Sequence, residues 1–180
     1  MACREEEIPT PGDYYTYDIL DQSIIVVRVT DDVIKAYYNV CPHRGRMLTE
    51  GCGHAARLFC RYHGWQWALD GTIDRIIDRH EWPEAELRDE DVNLVEVKVD
   101  RWGGWVYINM DPDCVSLETH LAPAKAFLDP YELEGMRYHW RKSTILPCNW
   151  KVALEAFNEG YHVQTTHHQM LRYMDDITRS

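Results

Sequence analysis

Two short Cys/His segments constrain this 180-residue chain more than anything else in it. The first reads Cys41-Pro42-His43-Arg44-Gly45; sixteen residues after His43 the second begins, Cys60-Arg61-Tyr62-His63-Gly64-Trp65. Each supplies one thiol and one imidazole, and each is followed by a glycine, Gly45 or Gly64, that lets backbone turn tightly. Whatever fold the chain adopts has to bring these two loops face to face.

Two thiolates on one iron and two neutral imidazoles on the other are the donor set of a high-potential 2Fe–2S cluster, because imidazole leaves less negative charge on the metal pair than thiolate does. The same four side chains could form a tetrahedral structural zinc site, but zinc gives no reason for the residues flanking them. Cys52-Gly53-His54 is a second Cys-x-His. Only five residues separate His54 from Cys60, too few for two facing loops with a strand between, so Cys52 and His54 are read as loop residues.

Cys-x-His, sixteen residues, Cys-x-x-His resembles the Rieske iron–sulfur motif, and Arg44-Gly45 and Gly64-Trp65 strengthen the likeness. The variant most often met has proline after the second cysteine where this chain has Arg61, which leaves the ligands unchanged. The resemblance implies a 2Fe–2S cluster held by Cys41, His43, Cys60 and His63.

The last forty residues carry a second signal. Asn149-Trp150-Lys151, then Glu155, Glu159, Tyr161-His162 and His167, resemble the mononuclear-iron motif of Rieske non-haem iron oxygenase α subunits, the aromatic-ring-hydroxylating dioxygenase group. On one continuous helix Glu155, Glu159 and His162 would form a stripe, whereas His162 and His167 would lie about 140° apart. Sharing an ion therefore requires the helix to end near Val163. The resemblance implies that His162 and His167 bind non-haem Fe(II) with a distant carboxylate. It also makes Glu159 the bridging acid between the iron histidine of one subunit and a cluster histidine of its neighbour. Most of the family has aspartate at the position of Glu159. Asp175 and Asp176 are the only carboxylates after His167, and both lie too close to it to serve comfortably as the third ligand.

Composition fits a globular chain, with 45% hydrophobic and 27% charged residues. The formal net charge of −11 disfavours nucleic acid and anionic membrane and suits a soluble protein that docks a basic patch on its partner. No apolar run approaches a membrane span, Arg4-Glu5-Glu6-Glu7 stands where a signal peptide would be apolar, and Cys3, Cys52, Cys114 and Cys148 lack disulfide-framework spacing. A cytoplasmic protein is expected.

Residues 1–12 read as a polar arm. Ser23–Val29 and Val33–Val40 read as paired strands, Asp70-Gly71 as a hairpin turn, and the alternation from Val95 to Val99, turned at Gly103-Gly104 into Trp105–Met110, as a further hairpin. The cluster loops are expected at hairpin tips. Ser116–Phe127 reads as a short helix interrupted at Pro123, and Trp102, Trp105, Trp140 and Trp150 as packing residues. The fold class is mainly β: a Rieske antiparallel β domain over 1–113, a linker over 114–140, and over 141–180 the start, helix plus loop, of an α+β catalytic domain. By resemblance the whole is the terminal component of a multicomponent oxygenase, taking electrons from NAD(P)H through a reductase or ferredoxin and hydroxylating an aromatic or other organic substrate with O2. It would be a homotrimer, with or without a β subunit. A stand-alone Rieske ferredoxin is the rival; it would have no use for residues 149–167.

Overall fold

The computed structural model describes residues 1–83 and 86–173, so Asp175 and Asp176 lie outside the described residues. The chain divides into two compact units, Met1–Arg137 and Tyr138–Ser180.

In the first unit a seven-stranded sheet is built from β1 (Cys3–Arg4), β2 (Asp13–Ile19), β3 (Gln22–Arg28), β4 (Ile34–Tyr38), β5 (Cys52–His54), β9 (Glu96–Trp102) and β10 (Trp105–Asn109). Its order is β1-β10-β9-β4-β3-β2-β5, antiparallel throughout. A second sheet of β6 (Leu58–Phe59), β7 (Gln66–Trp67) and β8 (Ile73–Arg75) pairs in chain order.

Strand β3 explains how the two sheets are held. Its run Ile24-Ile25-Val26-Val27 does not alternate in polarity because both faces are covered. Ile24 and Val26 pack with Ile8, Ala36, Val97 and Val106 on one side. Ile25 and Val27 pack with Tyr37, Trp65, Trp67, Cys41 and Cys60 on the other. The second layer thus puts both motif cysteines in a hydrophobic core. Trp67, fully buried, donates its indole N–H to the Val92 carbonyl at 2.8 Å, and the Tyr37 hydroxyl donates to Leu69 O at 3.1 Å. At the turn between β7 and β8, Gly71 has φ +86°, and a Cβ there would come within 2.5 Å of the Tyr37 ring.

Several sequence expectations change. The N-terminal segment is no free arm: Cys3 and Arg4 pair with Val106 and Trp105, and Ile8 is fully buried. Edge pairing, which composition does not reveal, outweighs its polarity. Cys52 and His54 stand in a strand on β2. The β6–β7 hairpin carries the second Cys/His loop at its tip. The first loop is not a hairpin tip: it follows β4, whose neighbours are β3 and β9, and the chain then continues to β5 on β2.

Helix α1 (Leu117–Leu128) is capped by Ser116, whose Oγ accepts from Thr119 N at 3.2 Å, and runs through Pro123 unbroken. The carbonyl that Pro123 leaves unbonded, that of Thr119, lies on an exposed residue. After α1, Trp102 donates its indole N–H to Asp129 at 2.9 Å. The buried Arg4 guanidinium donates to Met136 O at 2.7 Å. Chain between α1 and Arg137 is therefore tied to the first unit.

In the second unit α2 (Trp150–Glu155) is capped by Asn149, whose side chain accepts from Lys151 N at 2.9 Å, and α3 (Val163–Thr166) is a single turn. Trp140 and Trp150 are exposed, unlike the half-buried Trp102 and Trp105. Among the described residues no helix is long and apolar enough to cross a membrane.

Candidate functional site

The two Cys/His loops of the first unit share one backbone design. In the first, Cys41 N donates to Arg46 O at 2.8 Å and Gly45 N to Cys41 O at 2.9 Å. In the second, Cys60 N donates to Trp65 O at 2.9 Å and Gly64 N to Cys60 O at 3.0 Å. Each loop is closed by the residue five beyond its cysteine, with a left-handed glycine at the fourth position, φ +69° at Gly45 and +73° at Gly64. The histidine stands two after the cysteine in one loop and three after it in the other, so one turn geometry presents both pairs.

The loops bring all four side chains together. Cys41 and Cys60 are buried, 2% and 1% exposed, while His43 is half-buried and His63 exposed. The two imidazole centroids are 4.6 Å apart. Burial pushes the Cys41 thiol up, and the Cys60 sulfur beside it adds to the rise, against amide hydrogen bonds from His43 and Arg44. A metal bound beside it would offset that rise and hold the Cys41 sulfur as thiolate. Burial likewise lowers the His43 pKa, with His63 and Arg44 contributing, which keeps its ring neutral as a metal ligand needs.

The fit to a metal centre is tested by one atom. Among the described residues His43 Nδ1 is the buried side-chain nitrogen or oxygen that has no hydrogen-bond partner. A buried polar atom left unpaired costs about 1–3 kcal/mol, and a metal bond would remove that cost. The donor set, two sulfurs in the core and two imidazoles at its edge, fits a 2Fe–2S cluster. Among the described residues no three His, Cys, Asp or Glu converge as donors to a single ion.

Sequence reasoning singled out Trp65 as part of the motif but passed over Tyr62 and Asn39, which also hold these loops. Trp65 stacks on His43 with centroids 4.9 Å apart and planes 8° from parallel; Tyr62 lies 3.9 Å from the His63 ring. Asn39, 4% exposed, donates to Ser23 Oγ and Thr49 O at 3.0 and 2.7 Å and accepts from Leu48 N and Thr49 N at 3.0 and 3.2 Å. It ties the far end of the first loop to the strand before it. An Asn two residues before a Cys was the available signal. Cys52 and His54 are exposed, and His54 is held by Asp13 at 2.9 Å, Nδ1 to Oδ1.

In the second unit the helical stripe does not form, because α2 ends at Glu155. Glu159 and His162 meet through a local turn instead. Glu159 accepts from the His162 ring Nδ1 and from the backbone N–H groups of Tyr161 and His162. These bonds, the ring's first, hold its carboxyl below the usual carboxylate range. The single turn α3 then brings His167 back, its ring centroid 5.3 Å from that of His162. Glu159 thus engages Nδ1 of His162 and leaves Nε2 as the ring nitrogen on the other side.

Residues 1–93 match the family model described as the Rieske [2Fe-2S] domain, and residues 131–180 match the ring hydroxylating alpha subunit (catalytic domain). The chain is 36% identical over 169 residues to the carnitine monooxygenase oxygenase subunit of Escherichia coli, covering 92% of this chain and 45% of that protein. Against the glycine betaine monooxygenase oxygenase subunit of Chromohalobacter salexigens it is 33% identical, covering 95% of this chain and 37% of that protein. The crystal structure of a quaternary ammonium Rieske monooxygenase in complex with L-carnitine superposes with a TM-score of 0.87 at 30% identity, covering 96% of this chain and 49% of that one. The chain thus spans less than half the length of these relatives. It belongs to the Rieske [2Fe–2S] family and is similar throughout to the N-terminal part of Rieske non-haem iron oxygenase α subunits.

Proposed function

We propose that the whole protein is the terminal oxygenase component of a multicomponent Rieske oxygenase, a cytoplasmic enzyme that hydroxylates an organic substrate with O2 and electrons from NAD(P)H supplied through a reductase or ferredoxin. Cys41 and Cys60 hold one iron of a 2Fe–2S cluster, and His43 and His63 hold the other. His162 and His167 are two ligands of a non-haem Fe(II), with the third outside the described residues. The cluster supplies single electrons, and the Fe(II) supplies the site at which O2 is activated.

The chain's own residues have definite tasks in this scheme. The core around Cys41 and Cys60 keeps water from the sulfurs, while the imidazoles of His43 and His63, which leave less negative charge on the metal pair than thiolates would, raise the potential of a cluster bound there. Stacking of Trp65 on His43 fixes the orientation of that ring. Glu159 keeps the proton of His162 on Nδ1 and, in the homotrimer that the family resemblance implies, would bridge to a neighbouring subunit's cluster histidine.

One observation carries the oxygenase reading over a Rieske ferredoxin: the Glu159-anchored His162 ring beside that of His167. An electron carrier gains nothing from that arrangement. The relatives' names make L-carnitine and glycine betaine the first substrates to try, with biphenyl as the aromatic control. The test is oxygen-dependent product formation by the complete protein with NADH and a reductase. Product from any of the three supports an oxygenase; a cluster that cycles between redox states, in a protein binding no third iron, would make it a carrier.

A further inference from the structure

Arg4 is a charged side chain with only 5% of its surface exposed, and nothing in the proposed chemistry uses it. Strand pairing does not need it either. Backbone groups join β1 to β10, Ala2 N donating to Val106 O at 2.8 Å and Glu5 N to Gly104 O at 3.0 Å. A buried guanidinium is a weak source of stability, because it gives up its hydration, and well-packed apolar residues often replace one without loss. Its value lies in what it holds. The group sits over the Trp105 ring, 5.1 Å from the centroid, and pairs with Glu6 at 3.0 Å. It donates to Met136 O at 2.7 Å and, over longer distances, to Leu133 O at 3.4 Å and Gly103 O at 3.5 Å. Glu6 also reaches Arg137, at 3.4 Å.

The segment held in this way runs along the surface. Of residues 132–137, Leu133 is half-buried and the others are exposed. Its own secondary structure is a single 3-10 turn, Leu133–Gly135, entered through Glu132 at φ +48°, a conformation uncommon for any residue but glycine. Burial cannot keep such a segment in one place; directed hydrogen bonds from beneath can. The fit is close: a Cβ on Gly104, φ +75°, would come within 2.7 Å of the Arg4 guanidinium and 3.2 Å of Glu134 Cα.

We infer that Arg4 is a positioning residue: it fixes where the chain leaves the first unit, and through that the electron path to Glu159, His162 and His167. The inference rests on the oxygenase reading and adds a residue outside both ligand sets. The first unit ends at Arg137, next to Met136. Each chain of the proposed homotrimer supplies one end of a path from its first unit and the other from its second, so slack at the junction displaces the ends. A misplacement of about 1 Å, caused far from the chemistry, can slow a reaction about 100-fold. Arginine suits the task because its planar fork donates in several fixed directions, which a lysine ammonium on its flexible stem does not.

The test uses the complete, iron-loaded protein in two measurements on the same preparations. Amide hydrogen exchange reads the segment. In R4M, which keeps the bulk and removes the donors, the Gly135 and Met136 amides should exchange roughly tenfold faster, and R4K should recover only part of the protection. Stopped flow reads the path. Protein oxidised with ferricyanide is mixed with dithionite, and the first-order phase independent of dithionite concentration is followed, in which a reduced cluster loses one electron and one Fe(III) of the mononuclear site becomes Fe(II). That phase should be roughly tenfold slower in R4M, with iron, sulfide and visible spectrum unchanged. Two glycines inserted after Arg137 leave Arg4 and its bonds in place, and should slow the same phase without changing exchange at 135 and 136; this variant decides the matter if R4M does not fold. Wild-type exchange in R4M, a wild-type rate in the glycine insertion, or a slowing no greater than the iron lost overturns the proposal. Wild-type protein that binds no third iron, or shows no such phase, removes the oxygenase reading and this inference with it, whereas a phase present and equal in all variants removes only the role of Arg4.

Discussion

His43 and Trp65 lie face to face, ring centroids 4.9 Å apart and planes 8° from parallel. One comes from the first Cys/His loop and the other closes the second, so the stack locks the two halves of the site together. Trp65 is 4% exposed and sits in the core with both cysteines. Trp65→Ala should cost about 3–5 kcal/mol in denaturant unfolding through the cavity it leaves, and should release the cluster on gel filtration. Trp65→Phe keeps a ring face for His43 and should lose less on both measures.

Asn39 uses its whole hydrogen-bonding capacity on Ser23, Leu48 and Thr49. Asn39→Ala leaves the Leu48 and Thr49 amides short of a partner inside the first loop, and should cost about 2–4 kcal/mol. Urea unfolding measures this directly. Loss of visible absorbance should precede global unfolding in the variant, because the loop it frees carries Cys41 and His43.

How far the site was legible depended on spacing. The four cysteine and histidine donors of the two loops are marked by their spacing and His162 and His167 by the family resemblance, and the structure brings each set together. Burial of both faces of β3 was also written in Ile24–Val27. What stayed hidden were relationships set by tertiary packing. Cys3 reads as one more thiol near a polar terminus, yet β-pairing buries it and pushes its pKa to about 12. The helix through Glu159 looked continuous by periodicity, but the Glu159 carboxylate captures the Tyr161 and His162 amides, which favours a turn over helix propagation.

Asp13 joins β2 to β5 through His54 and also accepts from the Thr10 hydroxyl and amide at 2.7 and 2.8 Å. Those bonds, the Thr10 hydroxyl's first, lower its pKa. A depressed carboxylate stabilises the fold above its unfolded value near pH 4 and loses that contribution as pH falls through the folded value. Asp13→Asn should therefore cost about 1 kcal/mol at pH 7, and the difference from wild type should shrink as pH falls below about 4. Thermal melts of both proteins across that range check it. A gap that stays constant with falling pH would contradict the assignment.

Glu159 is the carboxylate on the His162 ring. In the complete protein, Glu159→Ala should leave iron and sulfide content unchanged while turnover drops at least about tenfold, the usual cost of losing a partner that orients a metal-bound histidine. Iron analysis and product formation on one preparation provide both numbers. Wild-type turnover would remove Glu159 from the electron path.

Iron and acid-labile sulfide, counted per chain in anaerobically purified protein alongside its visible spectrum, test most directly whether Cys41, His43, Cys60 and His63 hold a cluster. The expected result is about two sulfides with two cluster irons and thiolate-to-iron absorption, all lost together in Cys60→Ser. A colourless protein carrying one zinc and no sulfide would contradict it.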